Sequence, residues 1–180
     1  MRVIGGTAGG IRLGRVPRGT RPVSDRAREG LFSSLGDRVE GARCADLFAG
    51  TGAMGIEALS RGAASCLFVD AGAAAVRAIR ENLKRTGLAD RATVVRADVL
   101  AALGRDPAPI DLALVDPPYA HPRKAVEEVL ARLASVASPD ATVALTRPKG
   151  DHTDVIPVHW SVVRILTYGD TRILILQEAA

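Results

Sequence analysis

The chain has 180 residues, of which 47% are hydrophobic, 24% charged and only 3% aromatic. That composition and length suit one globular domain with a full core and exclude an intrinsically disordered chain. No apolar run approaches the roughly 20 residues of a membrane span, and "MRVIGGTAGG" lacks the apolar segment of a secretory signal, so a cytoplasmic location is expected. Charge is unevenly spread. Residues 1–28 hold seven arginines and one acid, Asp25, a net +6 against +4 for the whole chain, which leaves −2 for residues 29–180. A basic arm on a mildly acidic body points to an anionic partner, and Arg favours planar, bidentate phosphate contact. A general preference for arginine explains Arg over Lys, since the chain has only three lysines, but it does not explain the missing acids.

In chain order, residues 2–4 and 11–16 read as two short strands joined by the turn "GGTAGG". "RGTRPVSD" is loop, and Ser24 is the N-cap of a helix over about 25–36, with Asp25 and Glu29 near its positive end. From residue 43 the pattern becomes regular. Strand-like apolar runs fall at 43–48, 65–70, 92–97, 110–115 and 141–146, with amphipathic helical patterns near 53–61, 72–86, 98–104 and 122–134. Nearly continuous apolar strands are covered on both faces, and their alternation with helices predicts a doubly wound, mostly parallel α/β sheet. The tail departs from this: apolar runs at 159–167 and 172–177 flank Tyr168-Gly169-Asp170-Thr171, which reads as an antiparallel hairpin. Cys44 and Cys66 lie in apolar contexts without metal-ligand spacing, so buried reduced thiols and no metal are expected. Histidines 121, 152 and 159 lack a paired partner in sequence and read as surface or loop residues. Trp160 and the apolar face of 122–134 read as core.

After the first central strand comes Asp46-Leu47-Phe48-Ala49-Gly50-Thr51-Gly52-Ala53-Met54-Gly55. Gly50, Gly52 and Gly55 satisfy G-x-G-x-x-G, and Asp70 follows Gly50 by twenty residues at the end of the next strand. Strand, glycine loop, helix and second-strand acid together predict a nucleotide-type cofactor, with Asp70 on ribose hydroxyls. The choice between cofactors turns on Asp46. A carboxylate there repels a pyrophosphate and suits the ammonium or sulfonium end of S-adenosylmethionine. Asp98, after the third strand, can accept from an adenine amino group; its plain structural role is N-cap of the helix that follows. Three acids at the ends of successive parallel strands converge on the crevice where such sheets bind ligands, which favours S-adenosylmethionine over NAD.

"VDPPYAHP" (residues 115–122) ends the fourth strand on an acid and two prolines, which neither a helix nor a central strand accommodates. Beside the glycine loop, Asp116-Pro117-Pro118-Tyr119 looks like the (D/N)PP(Y/F) motif of amino-methyltransferases. An exocyclic amine is a poor nucleophile because its lone pair is delocalised. Asp116 and the Pro117 carbonyl, held rigid by the prolines, can accept both N–H groups and aim that lone pair. Tyr119 can stack on a base taken out of its helix.

"RVIGGTAGGIRL", "RGTRPVSDRAREGLF", "DLFAGTGAMGIEALSRGA", "VDPPY" and the late "YGDT" resemble the RsmD family of 16S ribosomal RNA guanine-N2 methyltransferases over essentially the whole chain. The resemblance implies a Rossmann-like, seven-stranded methyltransferase sheet whose last strand inserts antiparallel. Residues 1–40 become a small β-hairpin and helix extension that binds RNA, and residues 41–180 the catalytic domain. It implies methyl transfer from S-adenosylmethionine to the N2 of one guanosine in small-subunit rRNA, on free RNA or an assembling subunit, by a monomer without metal or membrane contact. Carried over by position, Asp46, Phe48, Ala49, Gly50, Thr51, Gly52, Asp70, Asp98, Val99 and Asp116 bind cofactor. Asp116, Pro117, Pro118 and Tyr119 hold the guanine, and Arg2, Arg12, Arg15, Arg18, Arg21, Arg26 and Arg28 grip RNA. Two departures stand out. Thr146-Arg147-Pro148-Lys149 occupies the fifth-strand exit where many relatives have an acid, and Asp70 stands where relatives often have Glu. Three rival readings are an N6-adenine methyltransferase, a nicotinamide-dependent oxidoreductase and a non-catalytic RNA-binding assembly factor.

Overall fold

The computed structural model describes residues 1–14, 22–105, 108–150 and 156–179. Its first helix, α1 (Asp25–Leu35), starts at the expected cap: the Ser24 hydroxyl accepts the Ala27 N–H at 3.2 Å. The chain then alternates through β1 (Arg43–Leu47), α2 (Ala53–Ser60), β2 (Ser65–Asp70), α3 (Ala73–Thr86), β3 (Ala92–Arg96) and α4 (Val99–Leu103). It continues through β4 (Ile110–Val115), α5 (Arg123–Ala134) and β5 (Ala137–Pro148) to the hairpin of β6 (Trp160–Tyr168) and β7 (Thr171–Glu178). The seven strands lie in the order β3-β2-β1-β4-β5-β7-β6. The first five pair in parallel, and β7 inserts antiparallel between β5 and β6. This is the doubly wound, mostly parallel sheet with a C-terminal antiparallel hairpin that the apolar runs predict.

Alternate side chains of each strand serve opposite faces of the sheet. Cys44, Cys66, Phe68, Leu112 and Leu114 pack with α1, α2 and α3, while Ala45, Leu47, Val69, Ala113 and Val115 pack with α4 and α5. Trp160 is core, as expected, and its indole N–H donates to the Leu130 carbonyl at 2.8 Å. Both cysteines are buried free thiols; burial pushes Cys44 up to about 12 and Cys66 in the same direction. No helix among the described residues is long and apolar enough to cross a membrane, and they contain no cluster of metal-ligating side chains.

Two departures from the expected elements have local causes. β5 starts at Ala137 because its first residues pair with Ile110 before the register shifts, with Asp140 at φ 64° in the irregular stretch. Among the described residues, the two N-terminal strands reduce to one bridge, Arg2 to Arg12, flanked by Val3 N–H to Ile11 O and Gly10 N–H to Val3 O, both 2.9 Å; residues 15 and 16 of the expected second strand lie outside them. The N–H groups of Ile4, Gly5, Thr7 and Ala8 dock onto α2 instead. The buried Glu57 carboxylate accepts from the Ile4 N–H at 2.8 Å, the Gly5 N–H at 2.9 Å and Arg61 Nε at 2.7 Å. Val3, Ala8 and Leu13 join the same apolar cluster as α1 and α2, so the basic segment shares its core with the sheet.

Candidate active site

Leu47 pairs with Val69 on one side and Val115 on the other, so Phe48, Asp70 and Asp116 leave the sheet side by side at its carboxyl edge. There they border a cavity of about 610 Å³. Asp46, Phe48, Ala49, Gly50, Thr51, Asp70, Asp98, Val99 and Asp116 to Tyr119 all line it; Gly52 supports the loop without lining it. The convergence expected from parallel topology is therefore present, at the end of the sheet where such folds bind ligands.

The glycine loop is wired by its acids. Asp70 accepts the Gly50 N–H at 2.9 Å through one oxygen and the Gly72 N–H at 2.8 Å through the other. Asp46 sits inside β1 with 1% of its surface exposed, and accepts the Gly55 N–H at 2.8 Å. Ala49 N–H goes to Val69 O and Gly52 N–H to Ala49 O. The chain turns at Phe48 (φ 61°) and Gly50 (φ 58°), in the left-handed region that favours glycine. Phe48 adopts it at a strain of about 1–2 kcal/mol, its ring edge-on to His121 with centroids 5.1 Å apart. A Cβ on Gly50 would meet nothing within 4 Å, so the loop leaves open room. Asp98 both lines the cavity and caps α4, accepting the Ala101 N–H at 3.2 Å.

Desolvation dominates the electrostatics. Burial drives the Asp46 carboxyl well above its usual range, against the Gly55 N–H and with repulsion from Asp116 and Asp70. Asp116 is pushed up to about 7 by desolvation, with the Thr146 hydroxyl the one group holding it down. Asp116 keeps an intermediate accessible surface and lines the cavity. Thr146 lies close enough to act on Asp116 but makes no hydrogen bond of good geometry, so its hold is weak. The fifth-strand exit thus puts a buried hydroxyl, rather than an acid, beside Asp116. The turn after Asp116 closes by His121 N–H to Pro118 O at 2.8 Å, and the Tyr119 hydroxyl meets Thr171 Oγ1 at 3.0 Å.

The arginines divide. Arg2, Arg12 and Arg26 are exposed, and Arg2 and Arg12 face each other across the bridge. Arg15, Arg18 and Arg21 lie outside the described residues, as does His152. Arg28 is placed differently from the expected RNA contact: it has no exposed surface, lines the cavity wall, and bonds the Arg2 carbonyl and Asp25. A covered guanidinium cannot reach a phosphate at the outer surface. Sequence reasoning also missed the contacts of Thr146 and Thr171 and the cavity-lining role of His121, whose partners lie far away in sequence. In the sequence Thr146 stands out only as a departure at the fifth-strand exit, and Thr171 only as part of the hairpin turn "YGDT". Tyr168 of that stretch packs so closely on α1 that a Cβ on Gly30 would overlap its hydroxyl.

The family model of Conserved hypothetical protein 95 matches residues 1–177. Ribosomal RNA small subunit methyltransferase D of Escherichia coli (strain K12) is 33% identical over 184 aligned residues, covering 100% of this chain and 91% of its own. YlbH of Bacillus subtilis (strain 168), provisionally named an rRNA methyltransferase, is 41% identical over 123 residues, 66% of this chain and 67% of its own. Among solved structures, Escherichia coli yhhF, provisionally named a methyltransferase, superposes with a TM-score of 0.85 at 32% identity, covering 100% of this chain and 98% of its own.

Proposed function

Because the chain belongs to the RsmD family, matched by the Conserved hypothetical protein 95 model over residues 1–177, we propose that it transfers a methyl group from S-adenosylmethionine to the exocyclic N2 of a guanosine in small-subunit rRNA. The observation that carries this reading is that Asp116-Pro117-Pro118-Tyr119 and the glycine loop line one cavity. Its roughly 610 Å³ falls within the range of sites that enclose a cofactor of this size. The residues suit the cofactor chemically. Asp46 offers a desolvated carboxylate for a cationic end, Asp70 keeps spare lone pairs for ribose hydroxyls, and Asp98 and Val99 border the adenine end. A dinucleotide suits the loop poorly, since the Ala49, Gly50, Gly52 and Gly55 N–H groups are already donated within the protein. This argues against the oxidoreductase reading.

When bound, the cofactor supplies a methyl group on an electron-poor sulfur. The chain's residues do the rest. Asp116 accepts an N–H of the guanine amino group, and with the Pro117 carbonyl turns the nitrogen lone pair toward the methyl. A desolvated carboxylate is a strong acceptor as the nitrogen becomes positive. Its carboxyl at about 7 also suits taking the departing proton at Oδ. Tyr119, tied to Thr171, forms a fixed platform for the flipped base. The exposed Arg2, Arg12 and Arg26, with Arg15, Arg18 and Arg21, grip the RNA backbone, so residues 1–40 act as the RNA-binding part and 41–180 as the catalytic part.

The test is to map methylation on small-subunit rRNA from cells lacking this protein and to restore it with purified enzyme and small subunits. Loss and recovery of one N2-methylguanosine supports the reading. Transfer to adenine N6, or none at all, overturns it.

A further inference from the structure

A guanidinium carries five N–H donors and no acceptor. In Arg28, Nη2 donates to the Arg2 carbonyl and to Asp25 Oδ1, 2.7 Å away, while Nε and Nη1 have no hydrogen-bond partner among the described residues. The other acid that acts on this group, Glu57, is already engaged by Ile4 N–H, Gly5 N–H and Arg61 Nε. The side chain has no accessible surface, so solvent does not complete it. A buried cation with donors left unmade is unfavourable, and the cavity it lines is the side from which a partner can come.

The same cavity also holds an acid able to supply the opposite charge to a cationic ligand. Asp46 is a buried carboxylate on its wall. A desolvated acid and a desolvated base bordering one cavity match a zwitterion, with its ammonium toward Asp46 and its carboxylate toward Arg28. Resting on the proposed use of S-adenosylmethionine, we infer that Arg28 receives the α-carboxylate of the cofactor's amino-acid end, and is a cofactor-anchoring residue rather than an RNA contact. Asp25 and the Arg2 carbonyl hold the guanidinium for this role, which couples the docked N-terminal segment to the cofactor site. Pro22 and Val23, which precede helix α1, line the same cavity.

Two ligands separate the contact from the rest of the site: S-adenosylhomocysteine, which has the amino-acid end, and 5′-methylthioadenosine, which lacks it. Calorimetry on the full chain should show Arg28→Met weakening S-adenosylhomocysteine binding about 10–100-fold, as loss of a charge-assisted hydrogen bond implies, with 5′-methylthioadenosine affinity within about twofold of wild type. Arg28→Lys, which keeps the charge, should recover part of the loss. An equal loss for both ligands, or unchanged S-adenosylhomocysteine affinity, overturns the inference. Should Arg28→Met not fold, a crystal structure of the unaltered protein with S-adenosylhomocysteine decides: a carboxylate within hydrogen-bond reach of Nη1 or Nε supports the assignment, and one turned away overturns it. If the unaltered protein binds neither ligand, the cofactor reading itself falls, an outcome distinct from failure of Arg28 alone.

Discussion

The Tyr119 hydroxyl lies 3.0 Å from Thr171 Oγ1, which ties the loop after β4 to the turn that opens β7. Tyr119 is 38% exposed, so its ring needs such an anchor to act as a platform. Tyr119→Phe and Thr171→Val each remove the bond and keep the ring. Each should lower kcat/KM for small subunits by about 0.5–1.5 kcal/mol, the net range for one neutral hydrogen bond. The double variant should be no worse than either single one, because both delete the same hydrogen bond. Tyr119→Ala removes the platform too, at about 1–3 kcal/mol. Single-turnover methylation measures all four, and additive losses would show that the two residues act separately.

Asp116 makes activity and stability respond oppositely to pH. Its carboxyl is pushed up to about 7 by desolvation, so kcat/KM should rise through about pH 7 as the acceptor ionises. Folding runs the other way. The native state holds a proton that the unfolded chain has lost, so stability falls as pH rises from about 4 to about 7. The full span is about 4 kcal/mol at about 1.4 kcal/mol per pKa unit. Asp46, also driven upward by burial, adds a fall of the same sign. Asp116→Asn should therefore raise Tm at pH 8, change it little at pH 5, and flatten the rise of activity near pH 7. A variant less stable at pH 8 would mean that the carboxylate is satisfied when charged.

Strand-end acids were legible in the sequence because parallel topology alone brings them together: Asp46, Asp70, Asp98 and Asp116 all border the cavity. The central elements were legible for a similar reason, since apolar period needs no long-range knowledge. Arg28 was not. A charge count treats every arginine as solvated, whereas helix α1 turns this one inward, away from the exposed Arg26. Thr146 beside Asp116 depends on how β5 pairs with β4, and Thr171 beside Tyr119 on how β7 pairs with β5, relations that spacing in the chain does not carry.

Asp70 holds loop N–H groups in the structure, and its variants should separate that role from the proposed ribose contact. Both carboxylate oxygens hold loop N–H groups, of Gly50 and Gly72. Asp70→Ala frees both and removes the proposed ribose contact, so S-adenosylhomocysteine affinity should fall by more than the roughly 1.5–3 kcal/mol of one charge-assisted bond. Asp70→Asn keeps one acceptor and should lose less. Calorimetry paired with thermal melts checks this. Unchanged affinity in Asp70→Ala with an intact fold would remove Asp70 from the cofactor site.

The basic segment yields the sharpest contrast between charge and packing. Removing residues 1–14 would strip Val3, Ala8 and Leu13 from the core and take two N–H donors from the buried Glu57 carboxylate. Loss of buried partners from a charge costs about 3 kcal/mol or more, so the truncated protein should melt many degrees lower and lose cofactor binding with its fold. Truncation is thus a poor test of RNA contact. Arg2→Ser, Arg12→Ser and Arg26→Ser alter exposed side chains and leave the backbone bonds of the bridge in place. Together they should leave Tm and S-adenosylhomocysteine affinity near wild type while weakening RNA binding. The slope of log affinity against log salt should flatten by about 0.7–0.9 for each phosphate no longer neutralised. Filter binding or fluorescence anisotropy across a salt series reads that slope. A triple variant with unaltered RNA affinity and slope would show that these three arginines are solvated charges, and would leave the RNA surface to be sought elsewhere on the domain.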